Sequence, residues 1–110
     1  MNGAGPFPTS AARRITMQLS GRDQAHHRSL VVELLQRARR AGLAGATVFR
    51  AQEGYGTSGR LHTTHLLSDD APLSVVIVDR PERIDTFLAA AADLLNQVVV
   101  VAEDVEVVHL

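Results

Sequence analysis

Apolar residues along this chain recur at two different spacings, and the order in which those spacings alternate leaves few folds open. Ile15, Met17 and Leu19 alternate with Thr16, Gln18 and Ser20, the period of a strand with one face on a core. Val31, Leu34, Leu35, Ala38 and Ala41 then recur at helical spacing, Arg37, Arg39 and Arg40 crowd the last turn, and Gly42 follows. Cations complement the dipole there and glycine suits the exit, so the spacing predicts a helix from Arg28 to Ala41. A second strand is expected from about Ala46 to Glu53, with Leu61 to Leu67 extending it as a hairpin. The turn signal Ser68-Asp69-Asp70-Ala71-Pro72 precedes a third strand, Leu73 to Asp79. Pro81 opens a second helix, expected to run to Leu95, whose stripe is Ile84, Phe87, Leu88, Ala91 and Leu95, with Glu82 near its positive end. Val98 to Ala102 and Val105 to Leu110 are rich in β-formers, and Glu103-Asp104 between them is expected to interrupt the strand or end it.

The order β, α, β, β, α, β is that of an α+β, ferredoxin-like fold: a four-stranded antiparallel sheet with two helices on one face. Two helices leave the other face open. Yet Val75-Val76-Ile77-Val78 and Val98-Val99-Val100-Val101 are apolar on both sides of the pleat, so further copies of the chain are the economical cover. A length of 110 residues fits one domain with a small core, which association would enlarge. The domain is expected over 14–110. Residues 1–13, with Gly3, Gly5, Pro6, Pro8, Thr9 and Ser10, read as a flexible tail without the apolar run of a secretion signal. No apolar run approaches membrane-spanning length, so a cytoplasmic protein without membrane insertion is expected.

Composition narrows the chemistry. There is no cysteine, which removes thiol nucleophiles and thiolate metal sites. All 11 basic residues are arginine, so an anion must be held by guanidinium, imidazole or backbone N–H groups rather than by a lysine. A net charge of -1 offers no general attraction to nucleic acid. The segment following the second strand concentrates the candidates for binding. Gly54, Gly56 and Gly59 let a ligand approach the main chain, Tyr55 stands between the first two, and Arg50, Arg60 and His62 place charge nearby. The plainer alternative is a hairpin turn with Tyr55 packed on a neighbour.

Five histidines raise a metal reading, with His26, His27, His62 and His65 as candidate ligands. If Leu61 to Leu67 is a strand, His62 and His65 are an odd number of residues apart and point to opposite faces, so they would converge only in a loop or with other histidines. A metal- or anion-handling accessory is therefore the alternative function. No nucleophile, base and orienting group are assembled by the sequence, so catalysis is not expected.

Taken together, Gly45-Ala46-Thr47-Val48, Gly54-Tyr55-Gly56, His62-Thr63-Thr64, Asp79-Arg80-Pro81-Glu82-Arg83-Ile84 and Glu103-Asp104-Val105-Glu106-Val107 resemble the uncharacterised PII-like family numbered one-ninety among domains of unknown function. The resemblance covers about Arg14 to Leu110. It implies a homotrimer similar to the PII nitrogen-signalling proteins, with an adenine nucleotide in the clefts between subunits and a long hairpin loop that contacts a target transporter or enzyme. By family association the partner would be a fluoride exporter. It also implies that Gly54-Tyr55-Gly56 lies against nucleotide phosphates, and it places a histidine in the loop of His26 and His27. The chain departs from the PII pattern where Leu94-Leu95-Asn96-Gln97-Val98 stands in place of glycines and a lysine, and 98–110 contains no arginine.

Overall fold

The computed structural model describes residues 5–51, 54–55, 61–62 and 71–110. In chain order the elements are β1 (Thr9–Ser20), β2 (Gln24–Ala25), β3 (Arg28–Ser29), α1 (Leu30–Arg40), β4 (Thr47–Arg50), β5 (Gly54–Tyr55), β6 (Leu61–His62), β7 (Pro72–Asp79), α2 (Pro81–Ala90), a 3₁₀ turn (Ala92–Leu94) and β8 (Val99–Val108). The main sheet has four strands in the order β4-β7-β1-β8, and every pair is antiparallel. Two small ribbons, β2 with β3 and β5 with β6, decorate it. This is the expected ferredoxin-like βαββαβ fold.

Register explains which residues make the core. Ile15 pairs with Ile77, Met17 with Val75 and Leu19 with Leu73, and the period of two sends all six to one face. There they are buried with Leu30, Leu34 and Ala38 and with Ile84, Phe87, Ala91 and Leu94. Phe87, fully buried, is the largest side chain in this layer. The intervening residues form the second face. Thr16 pairs with Val76 and Val101, Gln18 with Ser74 and Val99, and Ser74 with Phe49. Phe49, Val78, Val99 and Val101 on that face remain exposed, so the protomer alone leaves an apolar sheet surface uncovered.

Several boundaries differ from those expected. β1 begins at Thr9, inside the segment read as a tail, because Thr9 to Arg13 pair residue by residue with Val108 to Asp104. β8 is continuous through Glu103 and Asp104 rather than interrupted by them. Arg14 and Arg13 lie directly opposite, and ion pairs of 3.0 Å to Glu103 and 3.2 Å to Asp104 turn a local charge run into cross-strand attraction. Arg13 also reaches Asp85 of α2 at 2.6 Å, tying sheet to helix. α1 starts at Leu30, two residues later than expected, since Arg28 and Ser29 are taken up by the β3 ribbon. α2 ends at Ala90. The tighter turn that follows, with Leu94 N–H donating to Ala91 at 2.8 Å, rotates Leu94 into the core.

Candidate functional site

One end of the sheet gathers most of the residues singled out by sequence, because β1 and β4 finish there while β7 and β8 begin. The Gly21 N–H donates to the carbonyl of Ala71 at 3.0 Å and the Ala51 N–H to that of Pro72 at 2.9 Å. These bonds set the connection from β1 to α1 beside the root of the glycine hairpin. Arg50 is the exposed last residue of β4, opposite Leu73. Gly54 pairs with His62 and Tyr55 with Leu61 through the backbone, so the expected hairpin exists at its base. Gly56, Gly59, Arg60 and His65 lie outside the described residues, as do the side chains of Tyr55 and His62.

The connection from β1 to α1 is a second hairpin. Gln24 pairs with Ser29 and Ala25 with Arg28, leaving His26 and His27 as its two-residue turn. Their φ angles are 53° and 63°, the left-handed pair that a twisted hairpin needs and that Asn-Gly adopts most readily. Holding a side-chain residue there costs roughly 1–2 kcal/mol. Contacts on both sides fix it. At the root, the Leu30 N–H donates to the Asp23 carbonyl at 2.9 Å, the Ser20 N–H donates to the Asp23 carboxylate at 2.8 Å, and Arg28 meets the buried Glu33 at 3.2 Å. At the tip, His26 Nε2 lies 3.4 Å from Asp93.

Asp93 is the hub of this corner. Arg37 grips both of its oxygens, at 2.9 and 3.1 Å, and also donates to the Ala90 carbonyl at 2.9 Å. The Arg37 hydrogen bonds, helped by that of His26, hold the Asp93 carboxyl down at about 2. Arg37 is pushed up in turn, chiefly by the same contact with Asp93. α1, the His26 turn and the turn after α2 are thereby fastened at one point.

Between the hairpin and the segment entering β8 lies an open cleft of about 520 Å³, a size suited to a small molecule. Arg22, Gln24, His26, Asn96 and Gln97 give it polar walls, and the buried Leu30 and Leu94 an apolar base. Sequence reading had singled out His26 alone among these as a ligand candidate. Arg37 and Asp93 are 56 residues apart, each ordinary for its place in a helix, and no local signal marks their pairing. Among the described residues, no group of three His, Asp or Glu side chains is placed to hold a metal ion.

The opposite end of the sheet has a structural role. Burial of Asp79 opposes its ionisation, but the backbone N–H groups of Ala44 and Arg80 and the charges of Arg83 and Arg80 outweigh it and hold the carboxyl below its ordinary range. Asp79 thereby fixes the α1–β4 loop against the start of α2, with the Ala44 N–H at 2.8 Å. Among the described residues no helix is long and apolar enough to cross a membrane.

Comparison with known proteins agrees with this architecture. Residues 12–107 match the DUF190 family, described as "Uncharacterized ACR, COG1993". A UPF0166 protein of Aquifex aeolicus (strain VF5) is 43% identical over 79 residues, 70% of this chain and 74% of that protein. Among solved structures, CPII, a nitrogen regulatory PII-like protein from Thiomonas intermedia K12 bound to ADP, AMP and bicarbonate, superposes with a TM-score of 0.70. It is 21% identical, over 94% of this chain and 93% of that one. A PII-like signalling protein from Thermus thermophilus has a TM-score of 0.62 at 16% identity over 91% of each chain. At such identities these structures speak for the fold, which is PII-like. The match along nearly the whole domain, with the Aquifex relative, shows that the chain belongs to the uncharacterised PII-like family DUF190.

Proposed function

We propose that this protein is a PII-like regulatory subunit, a homotrimer that binds an adenine nucleotide in its subunit clefts and reports through the 54–68 loop to a partner such as a membrane transporter. The observation that carries the reading is the PII-like fold, held in common with a protein bound to ADP and AMP. The uncovered face bearing Phe49, Val78, Val99 and Val101 supports assembly, because packing three such faces together removes apolar surface from water. The protein acts in the cytoplasm and as a binder rather than a catalyst. Gly54, Tyr55 and Gly56 present backbone N–H groups to the phosphates, and Arg60, Arg50 and His62 supply charge. Affinity is modest, since no lysine is present and each missing charge-assisted hydrogen bond forfeits roughly 1.5–3 kcal/mol.

Calorimetry against ATP, ADP, AMP and cyclic AMP tests the reading, with zinc and nickel salts as a separate arm. A saturable nucleotide response that Gly56→Val abolishes while leaving the trimer intact is expected. A metal response without a nucleotide response would replace the reading with the histidine-based one. Silence in both would leave the loop as a protein-contact surface.

A further inference from the structure

Three rows of side chains cross the second face of the sheet, and they differ in how their polar groups are satisfied. Arg14 stands between Val78 and Glu103, and its ion pair with Glu103 at 3.0 Å pairs both charges within the protomer. Thr16 lies between Val76 and Val101, with Thr47 beyond Val76, and a threonine hydroxyl can turn to nearby backbone. The remaining row reads Phe49, Ser74, Gln18 and Val99 across the four strands. Its outer members are exposed apolar residues, and its two central members are polar. The Ser74 hydroxyl donates to the Gln18 side-chain oxygen at 3.0 Å. A glutamine amide carries two N–H donors besides that oxygen, and those of Gln18 meet no partner among the described residues. In the isolated protomer water serves them, since Gln18 is exposed.

We propose that the Gln18–Ser74 pair fixes the number and register of protomers in the assembly, its spare donors meeting acceptors on a neighbouring copy. The inference rests on the reading of this face as the interior of a homotrimer. Apolar contact is non-directional, so Phe49, Val76, Val99 and Val101 favour covering the face but do not by themselves select how many copies cover it. An amide near the middle of the face does. Sealed from water without a partner it is costly, and a neighbour's acceptor lies within reach only at a particular spacing and register of the faces. A single buried polar side chain selects register and oligomer state in coiled coils in this way, at a cost in stability. A ring of three such pairs, each amide donating to the next copy's Gln18 oxygen or Ser74 hydroxyl, satisfies them all with no group from outside this row.

The test applies native mass spectrometry and sedimentation velocity to the parent and to the double variant Gln18→Leu, Ser74→Ala, which nearly keeps the volume of the row and removes its polarity. The parent should be one species of three chains. The double variant should divide among several stoichiometries, with about a tenth or more of its mass outside the trimer. Neither side chain belongs to the helix-side core, and circular dichroism checks that the protomer stays folded. Where the parent is trimeric, a folded double variant that is trimeric alone, or only monomeric, would overturn this role and leave the homotrimer reading in place. A parent that forms no trimer would overturn both. A second measurement needs no variant: in the assembled parent, the Gln18 side-chain amide protons should exchange with solvent about tenfold or more slowly than those of Gln36, which is exposed on α1. Equal rates at the two residues would overturn the contact with a neighbouring copy.

Discussion

Replacing Val101 with aspartate should take the proposed trimer apart while leaving the protomer folded. Val101 pairs with Thr16 on the face away from the helices and is 47% exposed. Fully burying a valine is worth roughly 1.5–3 kcal/mol, so covering the exposed half contributes about 1 kcal/mol per protomer. A carboxylate sealed in the same place costs several kcal/mol in desolvation, which over three protomers comes to about 10 kcal/mol or more. At about 1.4 kcal/mol per decade this is roughly seven decades in a trimer's association constant. That constant scales with the square of concentration, so the concentration at half-assembly rises by between about three and four decades. Sedimentation velocity across a dilution series should find Val101→Asp monomeric at about micromolar concentration, where the proposed trimer of the parent is expected to persist. Circular dichroism should show the same secondary structure in both. A variant that assembles at the parent's concentration would refute the placement of this face in the shared interior.

Other perturbations address the core, the Asp93 hub and the rim of the sheet. Phe87 is fully buried, and Phe87→Ala should lower stability in urea denaturation by about 3–5 kcal/mol. The Asp93 carboxyl sits at about 2 in the fold against an ordinary 3.8. Its ion pair with Arg37 therefore stabilises fully above the ordinary value and is lost as pH falls through the folded one. Asp93→Asn should flatten the acid limb of a stability–pH curve in that window while leaving the neutral-pH slope unchanged. Arg14→Ala removes an exposed pair with Glu103 and should cost no more than about 1 kcal/mol in thermal unfolding, less at high salt.

The helical stripes and alternating strands were legible because each is a local period that burial enforces. Ile15, Met17 and Leu19 announced their face before any partner was known, and so did Ile84 and Phe87. What escaped sequence reading depends on residues far apart in the chain. Glu103 and Asp104 look like a strand breaker until Arg13 and Arg14 are placed across from them. Arg37 reads as a helix-end cation, and its grip on Asp93 emerges only when α1 and the turn after α2 meet. The candidate site was legible unevenly for the same reason. Glycines marked the root of the hairpin that pairs Gly54 with His62, whereas His26-His27 bears none of the Asn or Gly residues by which such a turn is normally recognised. The cleft it walls was therefore hidden.

The first and last strands lie side by side with opposite directions, Thr9 facing Val108, and the His109 N–H closes onto the Pro8 carbonyl at 2.9 Å. This geometry governs how the domain answers a mechanical load. Antiparallel ladder bonds run across the strands, so tension applied between residues 8 and 109 falls on one rung at a time. The ladder opens in sequence, from Thr9 and Val108 to Ser10 and Val107 and onward toward Ile15 and Ala102, where the helix-covered core begins to resist. A shearing pull would instead load many rungs together. Tethered by its two ends, the domain yields first as a zipper does, and the far end that carries the cleft is the last part of this strand pair to feel the force.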